Sequence, residues 1–423
     1  MRLQILSAIA AAALSLVRPD ASSFVVTNTD DSGTGSLRQA IVDANANCTS
    51  PFTMCSVSFA IPGPLPEEGW FTIAPRSPLP EVTAMWLEID AETEKSITHR
   101  TIAAGPDIFL RGETAGPTDG LRFAGFRMAV RGLAIGGFEG SGIFTLAPRR
   151  NDMPSTIHGT IERNYLGVDP SGKVAVQNRQ RGIMTESFGG TIEGNVISGN
   201  GRSGIFMTLM DGVTIRNNRI GVAAASDDAI GNNASGIYAG GHFYGYELEN
   251  VIVDNVIANS RDWAVARGAL TRIGVLRNIM VHNGGGAVDI GLDGPTRNPR
   301  PTNGPDILAA PLITSARYEA SSGDTIVEGV AAASTPTTGP SDPRESSVFV
   351  YANRSADRGG FFEAEEYLGT APVSFDGHFT LRVHGDFRGA LVDAIVAMHV
   401  TILDIGIPKI WNSSEFGDAV PVT

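Results

Sequence analysis

An all-β chain wound as a right-handed parallel β-helix is predicted by a repeated phrase, by the spacing of its returns and by the alternating segments between them. The phrase is apolar, two residues, Asn, one residue, apolar. It reads Ile161-Glu-Arg-Asn164-Tyr-Leu166, Ile192-Glu-Gly-Asn195-Val-Ile197, Ile215-Arg-Asn-Asn218-Arg-Ile220, Ile252-Val-Asp-Asn255-Val-Ile257 and Val275-Leu-Arg-Asn278-Ile-Met280. The five asparagines lie 31, 23, 37 and 23 residues apart. A period of this size marks a stacked solenoid, in which each unit buries its apolar face against its neighbours. Segments such as Thr191-Ile-Glu-Gly-Asn-Val-Ile-Ser198 keep strand period, and no stretch between 120 and 290 keeps helical period. The shorter spacing fits one coil of three short strands, and the longer ones fit that coil plus a loop. Asn suits the turn because it tolerates left-handed backbone and its amide can bond the Asn of the next coil. The hand follows from the preference of parallel crossovers.

Taken in chain order, residues 1–23 read as a secretory signal. Arg2 supplies a positive start, Ile5 to Val17 is an apolar and small run, and Ala21, Ser22 and Ser23 offer a cleavage site. The run stops at Arg18-Pro-Asp20 and is too short to cross a bilayer. Residues 24–60 read as an N-terminal cap, which the solenoid needs because an open coil is an unpaired sheet edge over an apolar core. Ser36-Leu-Arg-Gln39 has capping-box spacing and opens a helix to about Ala46, with Leu37, Ala40, Ile41 and Ala44 on one face. Cys48 and Cys55 are the only cysteines, and a close pair in an exported chain reads as a structural disulfide.

The solenoid is placed at 61–293. A second phrase, Gly plus apolar, precedes each Asn at Gly142-Ile143, Gly182-Ile183, Gly204-Ile205 and Gly236-Ile237, degenerating to Ala264-Val265. Residues 294–311 read as a linker, with four prolines before 306. From 312 to 423 alternating strands return, as in Ser347-Val-Phe-Val-Tyr351 and Gly377-His-Phe-Thr-Leu-Arg-Val383, and predict a small β-sandwich.

Composition limits the partners. The chain has 423 residues, 50 Gly and a formal charge of −13, which argues against nucleic acid. No segment after the leader reaches membrane-spanning length, so the expected location is secreted or at the cell surface. No serine nucleophile motif, phosphate loop or metal-ligand cluster is present, and no cofactor is expected.

Ser32-Gly-Thr-Gly-Ser-Leu-Arg-Gln-Ala-Ile41 followed by Asp43-Ala-Asn45 resembles the opening motif of many exported bacterial right-handed β-helix repeat proteins. Asn164-Tyr-Leu-Gly-Val-Asp-Pro-Ser-Gly172 is similar to their coil loop, and Asn412-Ser-Ser-Glu-Phe416 to their closing motif. The resemblance spans nearly the whole mature chain. It implies a pectate-lyase-like fold and export, and it implies no reaction.

Stacking turns sequence columns into spatial columns about 4.8 Å apart. Two residues before each Asn stand Glu162, Glu193, Arg216, Val253 and Leu276. Glu162 and Glu193 are candidates for a retaining-glycosidase pair, and Arg216 for neutralising a uronic acid carboxylate; a solvated charge ladder has the same pattern. After the Gly phrase stand Phe144, Met184, Phe206, Tyr238 and Ala266. That apolar stripe either stacks on sugar rings, with Glu186 in the next outward column, or lies under a loop or the C-terminal domain. Asp169 in one long loop, with Asp227 and Asp228 in the other, could face each other across a groove or hold Ca²⁺, though three scattered aspartates fall short of its six or more oxygens. Gly240-Gly241-His242 is similar to a polygalacturonase motif, but lacks the Asp pair and the following Arg-Ile-Lys. The expected partner is an extracellular polysaccharide or cell-surface glycan, with catalysis by a lyase or hydrolase one alternative and a non-catalytic adhesin or spacer the other.

Overall fold

The computed structural model describes residues 22–101, 105–147, 149–150, 153–154, 156–241, 249–268, 271–294, 308–331, 344–354, 363–400 and 410–423. Met1–Ala21, His242 and most of the expected linker lie outside the described residues.

The chain is a parallel β-helix with three walls. Wall one contains Leu121–Phe123, Ile143–Thr145, Ile237–Ala239, Trp263–Arg267 and Gly286–Ile290. Wall two contains Ser23–Val26, Cys55–Phe59, Trp86–Asp90, Arg127–Arg131, Ile157–Glu162, Val251–Val253 and Gly274–Leu276. Ile183–Glu193 and Ile205–Arg216 run through both walls and join them into one sheet. Gly190 makes this corner possible: its φ is +116°, and a Cβ there would lie 2.1 Å from the Gly159 carbonyl oxygen. Wall three is an eight-stranded sheet from Phe71–Ile73 to Ile279–Val281. Inside, Ile161, Ile192, Ile215, Ile252 and Val275 form one fully buried aliphatic column.

The five asparagines stack as the repeat predicts. Each Nδ2 donates to the Oδ1 of the next, at 3.2, 2.9, 2.9 and 2.9 Å from Asn164 to Asn278. Each backbone N–H reaches that same oxygen, and the amides also donate to carbonyls such as those of Ile161 and Ile192. Every side chain in the column is buried. The ladder asparagines themselves are not in the left-handed region, contrary to the expectation from the sequence. The left-handed residue is the one before each: Arg163, Gly194, Asn217, Asp254 and Arg277 have φ between 50° and 64°. Asn is selected for the ladder, because four buried hydrogen-bonding sites per coil must be met without water.

A second ladder follows at the next corner and was not foreseen. Asn178 donates to Asn200 at 3.1 Å, Asn200 to Asn232 at 3.0 Å, and Ser260 N–H to Asn283 at 3.0 Å. Its members follow the first column by 14, 5, 14, 5 and 5 residues. The two long loops are therefore equal insertions between the two ladders.

The ends are closed differently. At the N-terminus the helix Leu37–Asn47 buries Leu37, Ala40, Ile41 and Ala44, and Ser36 Oγ accepts from Gln39 N–H at 3.2 Å. Gln39 does not complete the capping box; its amide bonds Asp43 at 2.8 Å. Cys48 and Cys55 are bonded, with Cα atoms 6.2 Å apart, tying the helix end to a wall-two strand. Ser23–Val26 and Cys55–Phe59 already pair within the long sheet, so residues 24–60 supply coil strands as well as the cap.

At the C-terminus two antiparallel sheets form the sandwich. One contains Leu312–Glu319, Asp324–Val330 and His378–His384; the other contains Glu366–Pro372, Arg344–Asn353, Leu391–Val400, Ile410–Ser413 and Val420–Pro421. The second sheet is apolar on both faces. Val348, Val350, Val392 and Ala394 pack on the first sheet, whereas Phe349, Tyr351, Ile395 and Ala397 join the solenoid core. The closing segment completes this seal in place of another coil. Ser413 N–H donates to Ile273 O, its Oγ accepts from Val275 N–H, and Glu415 Oε1 accepts from Ile290 N–H.

Candidate functional site

Wall two carries the charged column. Glu162 is the register partner of Arg131 on one side and Glu193 on the other, and Glu193 pairs with Arg216. The carboxylates are neighbours, yet each turns to its own cations. Glu162 accepts from Arg131 and, at 3.1 Å, from Arg163. Glu193 accepts from Arg216 at 2.6 Å and from Asn217 at 3.2 Å. Arg131 also meets Glu88 and Asp90, and Arg163 grips both oxygens of Glu92 at 2.7 and 2.8 Å. The Glu92 hydrogen bond, opposed by burial, holds the Arg163 guanidinium above its usual range.

Wall one carries the aromatic column, and its register also follows the sequence: Phe144, Met184, Phe206, Tyr238, Ala266 and then Asp289. Coil spacing places the Phe206 and Tyr238 rings 4.6 Å apart and 4° from parallel. Arg181 lies 4.1 Å above Phe206, and its Nε is buried with no hydrogen-bond partner. Burial, with Arg202 adding repulsion, pushes the Arg181 pKa down. These rings line an open groove of about 510 Å³ together with Arg181, Arg202, Arg261, Asp262, Trp263 and Asp289. The groove lining comes from the solenoid alone, so among the described residues the stripe is not covered by the C-terminal domain.

Other expected site residues fall elsewhere. Phe144 is buried under Arg122, whose guanidinium is 4.7 Å from the ring. Glu186 accepts from Ala147 N–H at 3.2 Å and is not part of the groove lining. The two long loops do meet, through Ala224 N–H to Gly172 O at 3.0 Å, but their aspartates do not converge. Asp169 accepts from Ser171 Oγ at 2.7 Å, Asp227 pairs with Arg219 at 2.7 Å, and Asp228 accepts from Ser226 at 2.7 Å.

The arginines divide the surface. Among the described residues Arg38, Arg111, Arg122, Arg131, Arg163, Arg216, Arg219, Arg277 and Arg317 all stand in ion pairs. Arg181, Arg202 and Arg261 have no carboxylate within ion-pair distance there. All three edge the same groove. Sequence reasoning missed them because they sit in the turn before the Gly-apolar phrase, outside the strand columns. Their signal was Arg181, Arg202 and Arg261 falling two to four residues before Ile183, Ile205 and Val265.

Residues 160–289 match the model of a family described as NosD, periplasmic copper-binding protein. The match covers coils of the solenoid and neither of its closed ends. Nothing among curated proteins matches the chain. Three solved structures are similar at low identity. The enzymatically active domain of bacteriophage CBA120 tailspike protein 2 is 10% identical, covers 94% of this chain and 76% of its own, and has a TM-score of 0.31. Geobacillus virus E2 ORF18 is 11% identical over 84% of this chain and 78% of its own, with a TM-score of 0.34. The A-module of the Azotobacter vinelandii mannuronan C-5 epimerase is 13% identical over 64% and 96%, with a TM-score of 0.25. No described helix is long and apolar enough to cross a membrane.

Proposed function

We propose that the wall-one groove binds an extended anionic polysaccharide outside the cytoplasm. One observation carries this reading: the stacked Phe206–Tyr238 pair is bordered by Arg181, Arg202 and Arg261, which have no ion-pair partner among the described residues. Ring faces take the apolar face of a sugar, and guanidinium forks take carboxylates or sulfates in bidentate fashion. A chain of net charge −13 places three arginines against two aspartates, Asp262 and Asp289, along this groove, a positive excess that favours an anionic ligand. The leader pattern and the Cys48–Cys55 bond support an oxidising, exported setting.

On wall two we propose that Glu162, Glu193 and Arg216 serve as a structural ladder. Their ion pairs meet the charges that catalysis would need available. Copper does not enter this reading. Both cysteines are consumed in the disulfide, and the one cluster of potential ligands among the described residues is all carboxylate, a poor set for copper. The deciding experiment is binding of the mature protein to polyuronate, sulfated and neutral glucan oligosaccharides by calorimetry. Acidic oligosaccharides should bind and weaken as salt rises, while neutral ones should not bind. Equal affinity for neutral glucan, or no binding to any acidic polymer, overturns the proposal.

A further inference from the structure

The last coil and the closing segment bring three carboxylates together. Asp289, Asp293 and Glu415 each offer an oxygen, and these oxygens lie within 4.8 Å of one another. Asp289 is 3% exposed, and its Oδ1 is buried with no hydrogen-bond partner. Leaving such an oxygen dry and unpaired is costly, and the cost is not explained by packing alone. Its neighbours are functional parts of the fold: Asp289 ends the wall-one column, and Glu415 seals the last coil through Ile290 N–H at 2.9 Å. The turn Gly291–Gly294 returns Asp293 toward Asp289, with Leu292 itself at φ 63°.

We propose that Asp289, Asp293 and Glu415 bind a hard divalent cation of the calcium type, which staples the final solenoid coil to the closing segment. The donor set is all oxygen, which suits calcium, magnesium or manganese and disfavours copper. Three protein carboxylates leave further positions for water or carbonyl oxygen, as a calcium ion requires. The site stands independently of the glycan reading, because its occupancy is measured without any sugar.

The mature full-length chain, stripped with chelator, is titrated with calcium chloride by calorimetry and followed by thermal unfolding. The expected result is one calcium per chain with a Kd of about 10⁻⁴–10⁻³ M. Saturation should raise Tm by about 2–5 °C. Terbium, a calcium probe, should show sensitised emission excited through Trp263, which lines the same groove as Asp289. Asp293→Asn, at an exposed position, should fold normally, weaken calcium binding at least tenfold and lose the Tm shift. Asp289→Asn should do the same, and should raise Tm in chelator because it removes the buried charge. Absence of calcium heat together with identical Tm in chelator and in about 10 mM calcium overturns the proposal. So does calcium binding that survives unchanged in both variants.

Discussion

Walls one and two belong to the same coils, yet they treat charge in opposite ways. Ile183–Glu193 and Ile205–Arg216 cross both walls, presenting Met184 and Phe206 on one and Glu193 and Arg216 on the other. On wall two the adjacent acids Glu162 and Glu193 are flanked by Arg131 and Arg216, so that each acid meets a base above, below or beside it. On wall one two aromatic rings stack, and the nearby arginines have no such partner among the described residues. In a solenoid the spacing is fixed by the backbone, so a self-satisfied column stabilises and a column with unmet capacity is available to a ligand. The comparison makes unmet capacity, rather than the mere presence of acids, the mark of a site.

The largest expected effect tests what holds both walls in register. Asn218 accepts from Asn195 and donates to Asn255 and to Ile192 O, all within the buried ladder. Asn218→Leu should destabilise the protein by about 3 kcal/mol, since several buried partners are left unmet. Denaturant unfolding reads it; a loss under about 1 kcal/mol would mean that the aliphatic columns alone set the register.

Next come the aromatics. Phe206→Ala with Tyr238→Ala should lower affinity for an acidic oligosaccharide by about a hundredfold, from roughly 1–1.5 kcal/mol of lost stacking per ring. Circular dichroism should show the solenoid retained. Unchanged affinity in a folded double variant would return wall one to the status of an ordinary surface.

A smaller effect is expected from the cations. Arg202→Ala or Arg261→Ala should each cost about tenfold in affinity, from one charge-assisted contact. The wild-type advantage should shrink in high salt. A loss that persists undiminished at high salt would point to packing rather than charge.

The smallest effect belongs to wall two. Glu193→Gln, Glu162→Gln and Arg216→Ala should each change stability by under about 1 kcal/mol and leave glycan affinity unaltered. Loss of turnover of a glycan in Glu162→Gln or Glu193→Gln, with the fold intact, would reverse the assignment of the two walls and restore the carboxylates as a catalytic pair.

Much of this architecture is legible in the residues. Ile161, Ile192 and Ile215 repeat with the coil, so the core column and the register of Glu162 with Glu193 follow from counting. Ser36 and the Leu37, Ala40, Ile41, Ala44 face announce the capping helix, because capping and helical period are local properties. The second asparagine ladder was concealed by the two loop insertions, which shift Asn178 and Asn232 relative to Asn200. The groove was less legible still. Phe206 and Tyr238 appear in the strand column, but Arg181, Arg202 and Arg261 lie in turns whose side-chain directions no period specifies, and Trp263 only opens the strand Trp263–Arg267.

The sequence by itself determined the coil, its three strands, the aliphatic interior and which residues share a column, since these depend on a repeat that the backbone geometry enforces. Tertiary structure alone decided which charges would be spent. Arg131 and Arg163 reach Glu162 from a neighbouring coil and a neighbouring turn, and rotamers and distances, not spacing, set those pairings. It also decided that Asn412–Phe416 would act in place of a further coil. Ser413 and Glu415 bond Val275 and Ile290 across more than a hundred residues, and contacts so distant in the chain arise only when the sandwich docks on the solenoid's open end.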